Sequence, residues 1–174
     1  MATAKREWAV NTLPLVYDAD CEILILGSFP GQASRKQGFY YCSTNNRFWD
    51  LMEEFFNDKV PWCICQRREY LLRHHIALWD VCACCSIIDS QDSTIKYPVY
   101  NRLCCVLKNS KIKRVLCNGD KAYDLFNDMC KQNGITCPQG FVKRMPSTSG
   151  RRKGWKKSNL RNCDNYKEWE NALK

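Results

Sequence analysis

Histidine is nearly absent from this chain: the two present, His74 and His75, are adjacent and cannot share one face of a helix. That sets aside a histidine pair as the source of acid–base chemistry. Phosphate-cradling glycine loops are also missing. Gly27-x-x-x-Gly31 lacks the third glycine of a dinucleotide fingerprint and the Gly-Lys-Ser/Thr of a P-loop, which argues against a nucleotide-dependent transferase. Thirteen cysteines are present, yet no Cys-x-x-Cys pair is followed by a matching second pair. Cys63-x-Cys65, Cys82-x-Cys84-Cys85 and Cys104-Cys105 therefore read as small apolar side chains, and no metal or other cofactor is expected. No run reaches the ~18 apolar residues of a membrane span. The opening MATAKREWAV lacks the apolar stretch of a secretory signal, so the expectation is an intracellular protein of nucleus or cytoplasm with reduced thiols and no membrane partner.

What is present is globular in composition, with 45% hydrophobic and 26% charged residues. A length of 174 residues suits one domain spanning 1–174, expected to be monomeric. Lys and Arg number 27 against 18 Asp and Glu, a formal charge of +9 that favours a polyanionic partner. The excess is concentrated: Lys143, Arg144, Arg151, Arg152, Lys153, Lys156 and Lys157 stand in a stretch without one acidic residue. A solvated basic face is the plainer alternative.

The chain reads as strands alternating with helices. A buried strand near Glu22–Leu26 runs into Gly27-Ser28-Phe29-Pro30-Gly31, and further strands are expected at Ile76–Trp79, Ile112–Cys117 and Phe141–Met145. Helices are expected after Asn45 or Asn46 (apolar at Phe48, Met52, Phe55 and Phe56), over Gln66–His74, from about Tyr97 to Lys108, through Ala122–Met129, and near Tyr166–Leu173. Leu13–Tyr17 reads as an extended arm, because Pro14 steers its predecessor away from helix. Such alternation implies right-handed crossovers and a three-layer α/β/α domain around a central, mainly parallel four-stranded sheet. Loops at Gly27–Gly31, after Asp80, at Asn118-Gly119 and at Pro146–Gly150 then gather at one sheet edge, where open sheets of this kind bind ligands.

With those loops in view, a resemblance emerges. Leu24–Gly31, Phe39-Tyr40-Tyr41 and Asn46-Arg47-Phe48-Trp49 resemble the first motif of the uracil-DNA glycosylase superfamily, nearest its hypoxanthine-DNA (deoxyinosine) branch. Leu78-Trp79-Asp80-Val81, Ser90–Ile95, Asn118-Gly119 with Lys121-Ala122, and Pro146–Ser149 continue it in order. The resemblance implies a monofunctional glycosylase acting on duplex DNA that holds a deaminated base or mismatch. It flips the base and hydrolyses the N-glycosidic bond. It implies catalytic roles for Asn46 and Asn118, one orienting water and the other binding the base. It implies a base pocket from Gly27, Ser28, Phe29, Pro30, Tyr40 and Tyr41, and DNA contacts from Ser147, Thr148, Ser149, Arg151, Arg152 and Lys153.

Two departures from the pattern stand out. Phe29 occupies the position where the uracil- and mismatch-acting branches carry a water-holding Asn or Asp, which favours the hypoxanthine branch. Gly150-Arg151-Arg152 follows Ser149 where that branch continues Pro-Ala. The alternatives are a uracil or G·T/G·U mismatch glycosylase of the same superfamily, and a non-enzymatic nucleic-acid-binding module that stacks bases on Phe39, Tyr40 and Tyr41. On residue chemistry alone, Asn46 is a helix cap and Asn118 a turn former.

Overall fold

Four short strands form the frame. The structure is a computed structural model that describes residues 5–108, 110–150 and 152–174. Strands β2 (Ile23–Gly27), β3 (Ile76–Asp80), β6 (Arg114–Asn118) and β7 (Val142–Met145) make a parallel sheet in the order β3-β2-β6-β7. Every residue of β2 is buried. A parallel strand covered on both faces has no solvent side to mark with polar residues, which is why Ile23-Leu24-Ile25-Leu26 is a continuous apolar run.

Alternation of side chains along β2 divides the core in two. Ile23 and Ile25 join Phe48, Leu51 and Met52 of α2 (Phe48–Phe56), Tyr70 and Leu71 of α3 (Ile64–Arg73), and Trp169 of α6 (Asp164–Leu173). Leu24 and Leu26 join Ala122, Leu125, Phe126 and Met129 of α5 (Asp120–Gln132) and Leu103 of α4 (Leu103–Lys108). This is the expected α/β/α layering around a four-stranded parallel sheet.

A second sheet was not expected. Strands β1 (Arg6–Val10), β4 (Cys82–Ile88) and β5 (Lys96–Tyr100) pair antiparallel in the order β1-β4-β5. The helix expected from about Tyr97 is therefore a strand followed by the short α4. Pro98 is compatible with this because β5 is an edge strand, where a residue without an N–H is tolerated. The extended arm is present, with Val16 bridging antiparallel to Leu78. A short helix, α1 (Gln32–Gln37), follows the glycine loop. Of the cysteines, Cys63 and Cys65 are joined in a disulfide just before and within the start of α3, in contrast to the reduced thiols expected of the whole set.

Tertiary packing also fixes the loop that follows β7. Trp169 is fully buried, and its Nε1 donates to the Pro146 carbonyl at 2.8 Å. Trp169→Ala should lower the unfolding free energy by about 3–5 kcal/mol in urea titration. A loss below about 1 kcal/mol would mean that α6 is not a core element.

Candidate active site at the C-terminal edge of the parallel sheet

The register of the sheet places four strand-terminal residues in one row. Gly27 pairs with Asp80, Leu26 with Cys117, and Asn118 with Met145. The row therefore reads Asp80, Gly27, Asn118, Met145, and residues level with one another in a parallel sheet point to the same face. Gly27 contributes no side chain, so a notch opens between Asp80 and Asn118. A Cβ at Gly27 would overlap Asp80 Oδ1 and lie 3.3 Å from the Tyr41 hydroxyl. The notch is the inner end of a cleft of about 340 Å³. Its walls come from the 27–31 loop, the 40–46 segment, Asp80, Ser90, Asp92, Asn118 and the 147–149 loop.

Asn118 is locked in place. Its Nδ2 donates to Thr148 Oγ1 at 2.8 Å, and its Oδ1 accepts from the Thr148 amide at 2.8 Å. The carbonyl of the same fully buried Thr148 accepts from the Arg47 amide at 2.8 Å. One threonine thus ties the end of β6 to the start of α2. Asn46 lies in that second loop, where its Oδ1 accepts from the Phe48 amide at 2.9 Å, leaving its amide nitrogen for a ligand. The capping role read from the sequence is thus present, one position before the N-cap Arg47. A Cβ on Gly150 would overlap the Asn45 carbonyl. The glycine that departs from the family pattern is what allows the two loops to touch.

The aromatic residues divide into struts and wall. Phe39 and Tyr40 are 4% and 2% exposed, so they are core residues and not a free stacking platform. The Tyr40 hydroxyl donates to the Pro14 carbonyl at 2.9 Å, and Phe39 stacks on Trp49 with ring centroids 6.0 Å apart. Phe29 also turns inward, into the cluster that holds Leu24, Leu26 and Ile87, with the Arg35 guanidinium 5.7 Å from its ring. Tyr41 is different. It takes a left-handed backbone conformation (φ 55°), a costly one for an aromatic residue, and stacks on Phe48 at 4.2 Å. Its buried hydroxyl has no hydrogen-bond partner among the described residues. Burial first, then the neighbouring Asp80, push its ionisation far upward. The Asn118 amide is near enough to oppose that rise but lies outside hydrogen-bond geometry.

Asp80 falls within the Leu78–Val81 string of the resemblance but received no role from the sequence, because a lone carboxyl after an apolar run reads as a strand stop. It is 3% exposed, and burial pushes its carboxyl up to about 7, with the Asn11 hydrogen bond opposing and the Asp92 charge adding to the rise. Asn11 Nδ2 donates to Asp80 Oδ2 at 3.1 Å, while Asn11 Oδ1 accepts from the Leu13 amide at 2.9 Å. Outside the cleft, Asp120 pairs with Arg144 at 3.3 Å and with Arg152 at 3.7 Å, so part of the basic stretch is neutralised across space. Lys153 is exposed, and Arg151 lies outside the described residues. Ser147 Oγ accepts from the Ser149 amide at 3.2 Å, which shapes the same loop. Among the described residues, no three His, Cys, Asp or Glu side chains converge as a metal site would require. Thr148→Val keeps the shape and removes the hydroxyl that holds Asn118. Urea unfolding should show a loss of about 1–3 kcal/mol; an unchanged midpoint would mean that the pair does not secure the loops.

Comparison with known proteins agrees with this architecture. The sequence model of the uracil DNA glycosylase superfamily matches residues 14–174. A hypoxanthine DNA glycosylase of Methanosarcina barkeri is 32% identical over 148 residues, covering 82% of this chain and 92% of the relative. One of Methanosarcina acetivorans is 30% identical over 159 residues, covering 90% and 93%. The solution NMR structure of a candidate uracil DNA glycosylase from Methanosarcina acetivorans superposes with a TM-score of 0.72 at 28% identity, covering 94% of this chain and 95% of that one. The chain belongs to the uracil DNA glycosylase superfamily.

Proposed function

We propose that the protein is a monofunctional DNA glycosylase that takes a deaminated base, foremost hypoxanthine in deoxyinosine, out of duplex DNA and hydrolyses its N-glycosidic bond. The observation that carries this reading is the Asn118–Thr148 clasp. It holds an amide rigidly at the inner end of the cleft and sets Asn46 on the adjoining loop. The names of the two Methanosarcina relatives, matched over nine-tenths of their length, support hypoxanthine as the base.

Flipping a base costs a few kcal/mol of stacking and pairing, and least at a mismatch such as hypoxanthine opposite thymine. Once the base is in the cleft, the C1′–N9 bond breaks with its electron pair leaving on the base. A water oxygen bonds to C1′, and the water's proton ends on the base. The leaving base gathers negative charge, so fixed donors directed at it lower the barrier. Asn118 is such a group, preorganised because Thr148 occupies one lone pair of its Oδ1 and one hydrogen of its Nδ2. Asn46 supplies the second amide. The Phe29 side chain is buried and apolar and cannot hold the water, which falls to these amides. Ser147, Ser149, Arg152 and Lys153 form the rim that meets the phosphate backbone.

Asn46→Ala and Asn118→Ala should each slow single-turnover formation of abasic sites on a deoxyinosine·thymine duplex by roughly 100-fold. An unchanged rate removes that residue from the mechanism. A wild-type protein that only retards the duplex on a gel, leaving no alkali-labile sites, contradicts the enzymatic reading in favour of a binding module.

A further inference from the structure

The asparagines account for the adjoining loop and for one side of the cleft's inner end, and leave the opposite side, at Asp80, chemically unassigned. Two oxygens converge there on the place that a Cβ on Gly27 would occupy, namely Asp80 Oδ1 and the Tyr41 hydroxyl. The environment of Asp80 is one-sided. Asn11 is fixed by its own bond from the Leu13 amide, so it presents N–H to Asp80 and must donate to Oδ2. When the carboxyl is neutral, its proton is therefore on Oδ1, the oxygen beside the notch. We propose that Asp80 is a further catalytic residue, donating a hydrogen bond from Oδ1–H to an acceptor on the flipped base as the base leaves. This rests on the glycosylase reading above.

The groups around the carboxyl are consistent with a neutral donor. Asp92, on the 3₁₀ turn Asp92–Thr94, contributes a like charge that disfavours ionisation. Tyr40 and Tyr41, from the segment before α2, and Cys82, from β4, bear on the same carboxyl, and burial keeps their own protons on well above neutrality. Lys121 of α5 is a cation in this neighbourhood and acts on Cys82. No contact between Lys121 and Asp80 is formed among the described residues. The sign follows directly. With the carboxyl raised to about 7, the donor is present on the acid side and is lost as pH rises through that value.

The test is single-turnover excision from a deoxyinosine·thymine duplex by the full chain, between about pH 5.5 and 9. The wild-type rate should be level on the acid side and fall about tenfold per pH unit above about 7. Asp80→Asn, whose amide N–H replaces Oδ1–H while its oxygen still accepts from Asn11, should retain excision and lose that fall. Asp80→Ala should be slower by roughly 100-fold; if it does not fold, the asparagine variant and the wild-type profile suffice. A wild-type rate that rises through about 7, an inactive Asp80→Asn that unfolds and binds DNA as wild type does, or a fall that persists in Asp80→Asn would each overturn the assignment. A wild-type protein that makes no abasic sites contradicts the glycosylase reading itself, and the role of Asp80 falls with it.

Discussion

Burial of β2 on both faces is the constraint on which the rest of the structure depends. A strand with no water on either side can leave the sheet only at its end, and Gly27 is where the chain turns out of the core. The same glycine keeps the row between Asp80 and Asn118 free of a side chain. Core formation and cleft formation are thus one event. Any residue with a Cβ at position 27 would complete the row and close the notch.

The polar groups around that notch are held by partners that are themselves buried or backbone-bound. Thr148 fixes Asn118, Asn11 fixes Asp80, and the Phe48 amide fixes the Asn46 oxygen. Each orienting bond leaves a defined atom to face a ligand. Electrostatic catalysis benefits from groups that do not reorganise when charge develops, and this arrangement meets that condition. The loop surface is less uniform than its composition implies. Asp120 engages Arg144 and Arg152, so the field at the rim is weaker than a count of basic residues suggests.

Much of this was legible in the sequence, for physical reasons. Apolar runs at Ile23–Leu26 and Ile76–Trp79, the Val115-Leu116-Cys117 stretch before Asn118-Gly119, and the break at Pro146 after Met145 marked the four parallel strands, and the four loops at one edge followed from their direction. Asn46 and Asn118 were legible through the resemblance and not through their chemistry, since caps and turns use the same amides. The antiparallel sheet was hidden. Register shifts between Cys82 and Cys84 and between Cys84 and Ser86 disrupt the alternation that would have marked β4. In β5 the spacing of Tyr100, Leu103 and Val106 imitates a helix across a strand–helix boundary. Phe39 and Tyr40 illustrate the converse, since both looked like free stacking surfaces and are packed in the core, Tyr40 while also lining the cleft. Asp80 was hidden because its environment, and not its neighbours in sequence, makes it unusual.

The central claim is that a flipped base enters the cleft at the ends of β3, β2 and β6. A crystal structure of the wild-type protein with a duplex carrying a 2′-fluoroarabino analogue of deoxyinosine opposite thymine, which resists hydrolysis, would test it most directly. The account predicts hypoxanthine out of the stack, at the notch over Gly27, within hydrogen-bond distance of Asp80 Oδ1 and of an amide of Asn46 or Asn118. A base that stays paired in the duplex, or one seated away from Gly27, would contradict it.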